Sequence, residues 1–153
     1  MDPHKVEMNA WALREQVAPD LFAHVDPSNF PTTTIPALAL AAAGYQRDNP
    51  TGESISLALR HALFGEGRNI GELDVLDDIA RGHDLDVADT TVVDVITDWQ
   101  RGQRLGVQGS PHFFSADRNI FCPVLHISRD ANGELQLKRV NEALEQFLAE
   151  SFN

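Results

Sequence analysis

The hydrophobic pattern changes period along the chain. Lys5–Leu13 alternates: Val6, Met8, Ala10 and Ala12 fall on one face, and Lys5, Glu7, Asn9 and Trp11 on the other. That period of two predicts a short strand, covered on both sides near its end by Trp11 and Leu13. Arg14–Pro31 has no period and is broken by Pro19, Pro27 and Pro31, so it is expected to be irregular, with a helical turn near Ala18–His24 pinned by Phe22 and Phe30. From Thr34 the period is helical. A first helix is expected over Thr34–Arg47, with Thr34 as N-cap, Pro36 in its first turn and Asn49-Pro50 and Gly52 as its stop. A second is expected over Glu53–Phe64 with Ile55, Leu59, Ala62 and Leu63 inward. A third over Gly71–Arg81 turns Leu73, Leu76, Ile79 and Ala80 inward. A fourth starts near Asp86 or Asp89 and carries Val92, Val93, Val95, Ile96 and Trp99 towards Leu105, with Gly102 as the place for a kink. After that the period returns to two. His112–Phe114 and Val124–Ile127 predict strands, Asp130-Ala131-Asn132-Gly133 a hairpin turn and Glu134–Leu137 its return strand. Val140–Ser151 closes the chain as an amphipathic helix.

Between the two regimes lies Gly106-Val107-Gln108-Gly109-Ser110-Pro111-His112-Phe113-Phe114. The glycines supply backbone freedom and Pro111 fixes its own φ and removes a donor. An X-Pro bond is where a cis peptide costs only about 0.5–1 kcal/mol over trans. Ser110-Pro111 is expected to be cis and to open a strand at His112.

Composition narrows the partners. The 153 residues suit one domain, and Lys plus Arg at 12 against Asp plus Glu at 23 gives a net charge of −11. That sign disfavours nucleic acid and anionic membrane. No apolar run approaches a membrane span, and Met1-Asp2-Pro3-His4-Lys5 is unlike a secretory leader, so the expected compartment is the cytoplasm. Cys122 is the one cysteine, so neither an intramolecular disulfide nor a dithiol cycle is available to this sequence. A single free cysteine is most simply a small buried hydrophobe. No two of His24, His61, His83 and His126 have ligand spacing, and Asp74, Asp77, Asp78, Asp84, Asp86 and Asp89 lack the alternation and closing Glu of a calcium loop. No metal is expected; the acids read as solvated helix faces and caps.

The order of these stretches resembles the DsbA family of thioredoxin-like proteins, in particular its FrnE-like and 2-hydroxychromene-2-carboxylate isomerase-like branches. The resemblance rests on Asp26-Pro27-Ser28-Asn29-Phe30-Pro31 leading into Pro36–Ala42, on Ala58–Ile70 with Val75-Leu76 and Ile79-Ala80, and on Leu105–Phe114. It implies an α/β chain: a partial thioredoxin-like fold with a helical insertion, of three to four short strands and five to six helices. Residues 1–153 would form one DsbA-like domain, with the insertion at 32–104 and the thioredoxin-like portion at 5–13 plus 106–151. The family's function is thiol:disulfide exchange, its Cys-x-x-Cys (a serine in the isomerases) at a helix N-terminus that lowers a thiol pKa. Matched to the family, Lys5–Leu13 is the strand after the redox helix, so the redox strand and helix would precede Met1, and no catalytic residue is assigned. Val107, Ser110, Pro111 and His112 would line a groove for an extended peptide or for glutathione, the one small-molecule ligand the resemblance admits. An open position between Lys5–Leu13 and Phe113 could take a strand from a second copy. The alternatives to an inactive oxidoreductase are a non-catalytic peptide-binding or dimerisation module and a glutathione-dependent isomerase relative.

Overall fold

A computed structural model describes residues 3–152; Met1, Asp2 and Asn153 lie outside it, and with them the first two residues of the leader reading and the outer domain limits. The protein is mixed helix and sheet. In chain order it has α1 (Pro3–Gln16), a 3-10 turn (Pro27–Asn29), α2 (Ile35–Arg47), α3 (Asn49–Arg60), a π-helical turn (His61–Gly65), α4 (Leu73–Arg81), a 3-10 turn (Val87–Asp89), α5 (Val92–Arg104), β1 (His112–Ser115), β2 (Arg118–Phe121), β3 (Leu125–Arg129), β4 (Leu135–Arg139) and α6 (Glu142–Ser151). The strands form two separate antiparallel hairpins, β1–β2 and β3–β4.

The first element corrects the sequence reading: Lys5–Leu13 lies within helix α1 and is not a strand. Met, Ala, Leu, Glu, Arg and Gln dominate residues 7–16, and all are strong helix formers. The alternation has another cause. Ala10 and Ala12 are both buried, yet stand about 200° apart around a helix. The helix is covered on two sides, since it touches both β4 and the 27–29 turn. The expected open strand position between Lys5–Leu13 and Phe113 disappears with this change.

The core sits among α2, α3, α4 and the π-helical turn. Leu40, Ile55 and Leu76 are its fully buried large side chains, and Phe30, Leu85 and Val87 pack against it half-buried. Asp48 alone joins α2 to α3. Its N–H donates to Gly44 O (3.1 Å), ending α2, and its carboxylate accepts from Thr51 N (2.7 Å), capping α3. Thus Asn49-Pro50 opens the second helix and does not stop the first, and Gly52 is buried inside α3. The Thr51 backbone bond holds the Asp48 carboxyl below its ordinary value, with the Thr51 side chain and Arg47 adding to it. A depressed folded pKa contributes stability that is present above the unfolded value, about 3.8, and lost as pH falls through the folded one. Thermal melts of the protein and Asp48→Asn should therefore differ at pH 7 and converge at pH 2–3.

Three smaller expectations also shift. Leu73 is exposed, and Val75 takes its inward place in α4. Asp86 caps only the 3-10 turn, through Ala88 N, whereas α5 starts one residue after Thr91, whose hydroxyl accepts from Val93 N. The last helix begins at Glu142, because the Val140 N–H closes the β3–β4 hairpin on Val124 O (2.9 Å). No helix among the described residues is long and apolar enough to cross a membrane.

Candidate functional site

The loop between α5 and β1 is the place the sequence singles out, and its geometry is built from short-range contacts. Gly106 has φ +72° with nothing near a would-be Cβ, so it is required by backbone conformation and not by space. Gly109 is the reverse case: a Cβ there would stand 3.0 Å from Phe121 Cε2, so the loop lies on that ring. Ser110-Pro111 is cis, and β1 opens at His112, as the sequence suggests. The Pro111 carbonyl accepts from Cys122 N (2.8 Å), which closes the base of the β1–β2 hairpin.

Of the four residues proposed to line the groove, Val107, Ser110 and Pro111 are exposed on one loop; His112 is half-buried. His112 is held from both ring nitrogens. Nδ1 accepts from Gln108 N (3.2 Å), so Nε2 carries the proton and donates to Asn119 Oδ1 (3.1 Å). The ring also lies 4.3 Å from Phe114 and 5.8 Å from Phe121, centroid to centroid. With both nitrogens engaged, His112 fixes the loop to the hairpin. Asn119 and Phe121 are thus part of the site, although only the structure brings them there: the turn at Ala116-Asp117 folds β2 back in the register His112↔Phe121 and Phe114↔Asn119.

That register also decides which backbone groups face outward. In an antiparallel pair, hydrogen-bonded and non-bonded residue pairs alternate. The Pro111–Cys122 bond sets the phase, so Phe113 and Ser115 bond inward to β2. The N–H and C=O groups of His112 and Phe114 then point away from β2, along an edge with no backbone partner among the described residues. Phe113 meets Phe147 of α6 at 6.4 Å, and Arg118 of β2 pairs with Glu150, so α6 braces the hairpin and leaves this edge open. The Glu150 carboxyl is held below its ordinary value by the Gln146 hydrogen bond first and by Arg118 second.

Cys122 is half-buried with φ +46°, at the corner where the chain leaves β2. The remaining histidines serve structure where they have partners. His83 lies between Ile79 O (2.8 Å, Nδ1) and Ser54 Oγ (2.9 Å, Nε2), and His24 Nδ1 meets Gly65 O at 2.6 Å. The acidic run resolves into local roles: Asp77 pairs with Arg81, Asp78 with Arg68, and Asp86 caps a turn. No group of three or more His, Cys, Asp or Glu among the described residues could hold a metal ion. No family model, no curated protein and no solved structure matches this chain.

Proposed function

We propose that this chain is a DsbA-like, cytoplasmic, peptide-binding module that runs no dithiol chemistry of its own. The observation that carries the reading is the outward edge of β1. There His112 and Phe114 present unpaired backbone groups directly after an exposed loop of Val107, Ser110 and Pro111. An extended peptide adds to such an edge through main-chain hydrogen bonds, and neighbouring surface selects its side chains. Exposed Val107, Phe114 and Phe121 supply apolar contact. The chemistry is limited by composition. Thiol–disulfide exchange with a resolving step needs two thiols, and this sequence has Cys122 alone. An extended strand from a second copy would use the same edge, so the module could serve homodimer formation by the same bonds.

Two measurements test this. Ellman titration of the denatured chain should count one thiol, and insulin reduction by dithiothreitol should run at its uncatalysed rate; catalysed reduction would overturn the non-catalytic reading. Adding an N-acetylated alternating Val-Thr hexapeptide should shift or broaden the backbone amide signals of Val107, His112 and Phe114 in a two-dimensional NMR spectrum. Unchanged signals there at millimolar peptide would sink the binding edge.

A further inference from the structure

The β3–β4 hairpin carries a second edge, and that one is closed. The backbone bonds from Val140 N to Val124 O and from Asp130 N to Glu134 O set its phase. His126 and Ser128 therefore bond inward to Lys138 and Gln136, and the N–H and C=O groups of Leu135, Leu137 and Arg139 face outward from β4. Two of these outward groups are taken by one side chain from the far end of the sequence. Gln16, the last residue of α1, donates from Nε2 to Leu135 O (3.0 Å) and accepts at Oε1 from Leu137 N (2.7 Å).

The pairing is informative because of which groups it joins. An amide donates to the carbonyl of the residue before Gln136 and accepts from the N–H of the residue after it. In an antiparallel ladder the two bonds would run to a single residue; here they straddle one, as a residue of a parallel strand does. The Gln16 carboxamide thus stands in for one residue of a strand lying parallel to β4.

We infer that the outer edge of β4 is a second peptide-binding edge, occupied in this structure by the Gln16 side chain, and that its ligand is an extended peptide running parallel to β4 with acidic residues towards its C-terminal end. Direction and charge come from the same geometry. A parallel strand has its C-terminal end at Lys138 and Arg139. Neither cation has a carboxylate partner among the described residues, in a chain of net charge −11. Lys5 lies in the adjoining cleft and is likewise without one. The cleft is lined also by Arg129; of its acids Glu15 pairs with Arg14 (3.4 Å), and Glu7 and Glu134 have no Lys or Arg partner among the described residues, Glu134 standing at the opposite, N-terminal end of β4. The cleft between α1 and the hairpin has a volume of about 670 Å³ and is walled by exposed Met8 and Trp11 and by half-buried Leu135, so it accepts an apolar side chain of the added strand. This edge is separate from that of β1 and does not rest on it.

The probe is an N-acetylated peptide of alternating Val and Thr ending in two glutamates, with the same peptide ending in two lysines as its control. Binding is read by Trp11-region fluorescence and by amide exchange of the full chain. Gln16→Ala removes both plug bonds and should bind the glutamate-ended probe about tenfold more tightly than the unaltered chain, a loss of competition worth two ordinary hydrogen bonds. The Leu137 and Arg139 amides should gain protection, and the lysine-ended peptide should bind more weakly. Gln16→Glu keeps the side-chain length but loses the donor to Leu135 O; it should fall between the two and serves where the alanine variant undocks α1. Equal affinity of all three proteins, no preference between the peptides, or protection confined to His112 and Phe114 would each overturn the proposal. The last of these would leave the β1 edge standing.

Discussion

Ile55→Ala is expected to lower the stability of the chain by about 2–5 kcal/mol, the range for truncating a fully buried aliphatic side chain, and to bring the melting midpoint down by roughly 4–20 °C. Ile55 is completely buried in the cluster of α2, α3 and α4, and its Cδ1 fills the space beside Gly44, 2.7 Å from where a Cβ on that glycine would stand. Close packing of helix against helix leaves no side chain free to refill the space, so the cost of the cavity adds to the lost transfer energy. Leu57, two residues on, is 66% exposed on the opposite face of the same helix. Leu57→Ala should therefore change stability by less than about 0.5 kcal/mol, as surface substitutions do. Equal effects of the two in thermal melts would show that α3 does not present the Ile55 face to the core.

The second large effect is at Gly52, where two principles oppose each other. Alanine in a helix interior gains about 1 kcal/mol over glycine. At Gly52, however, the new methyl would stand 2.3 Å from Tyr45 Cγ and 2.4 Å from Cδ1. Those atoms are at the base of the ring, so Tyr45 must change its first torsion or the helices must part. Overpacking of this kind costs about 1–3 kcal/mol. The clash outweighs the propensity gain, and Gly52→Ala should lower the melting midpoint. In a Tyr45→Ala background its cost should shrink or reverse sign, because the obstructing ring is gone. Gly102 in α5 is the matched control. A methyl there meets Val107 Cγ2 at 3.6 Å, an ordinary contact, so Gly102→Ala should stabilise by up to about 1 kcal/mol. A stabilising Gly52→Ala in the presence of Tyr45 would show that α2 and α3 do not approach as closely as described.

The helical block was legible because its signals are local. Thr34 and Pro36 mark the start of α2, Leu40 and Ala41 its buried face, and Ile79 and Ala80 that of α4. Punctuation was less legible. Asn49-Pro50 serves equally well to stop one helix or to start the next, and only the Asp48 bonds to Gly44 and Thr51 show that one residue does both. In α1, the pattern that reads as alternation sets Ala10 and Ala12 against neighbours on two sides of a helix and leaves Met8 and Trp11 exposed, and only the neighbours distinguish helix from strand.

The candidate site divides in the same way. Gly106, the cis Ser110-Pro111 bond and the strand at His112 follow from the residues themselves, since glycine and proline act on their own backbone. The partners do not. Asn119 meets His112 only because a two-residue turn sets the register, and Gln16 meets β4 from more than a hundred residues away. By itself the sequence determined, from Thr34 onward, which stretches turn helical and which turn extended, though not every boundary between them, because torsional preference and hydrophobic period act within a few residues. Only the tertiary structure decided which strand edges are open and which is closed. That depends on hydrogen bonds between groups whose separation along the chain carries no periodic signal.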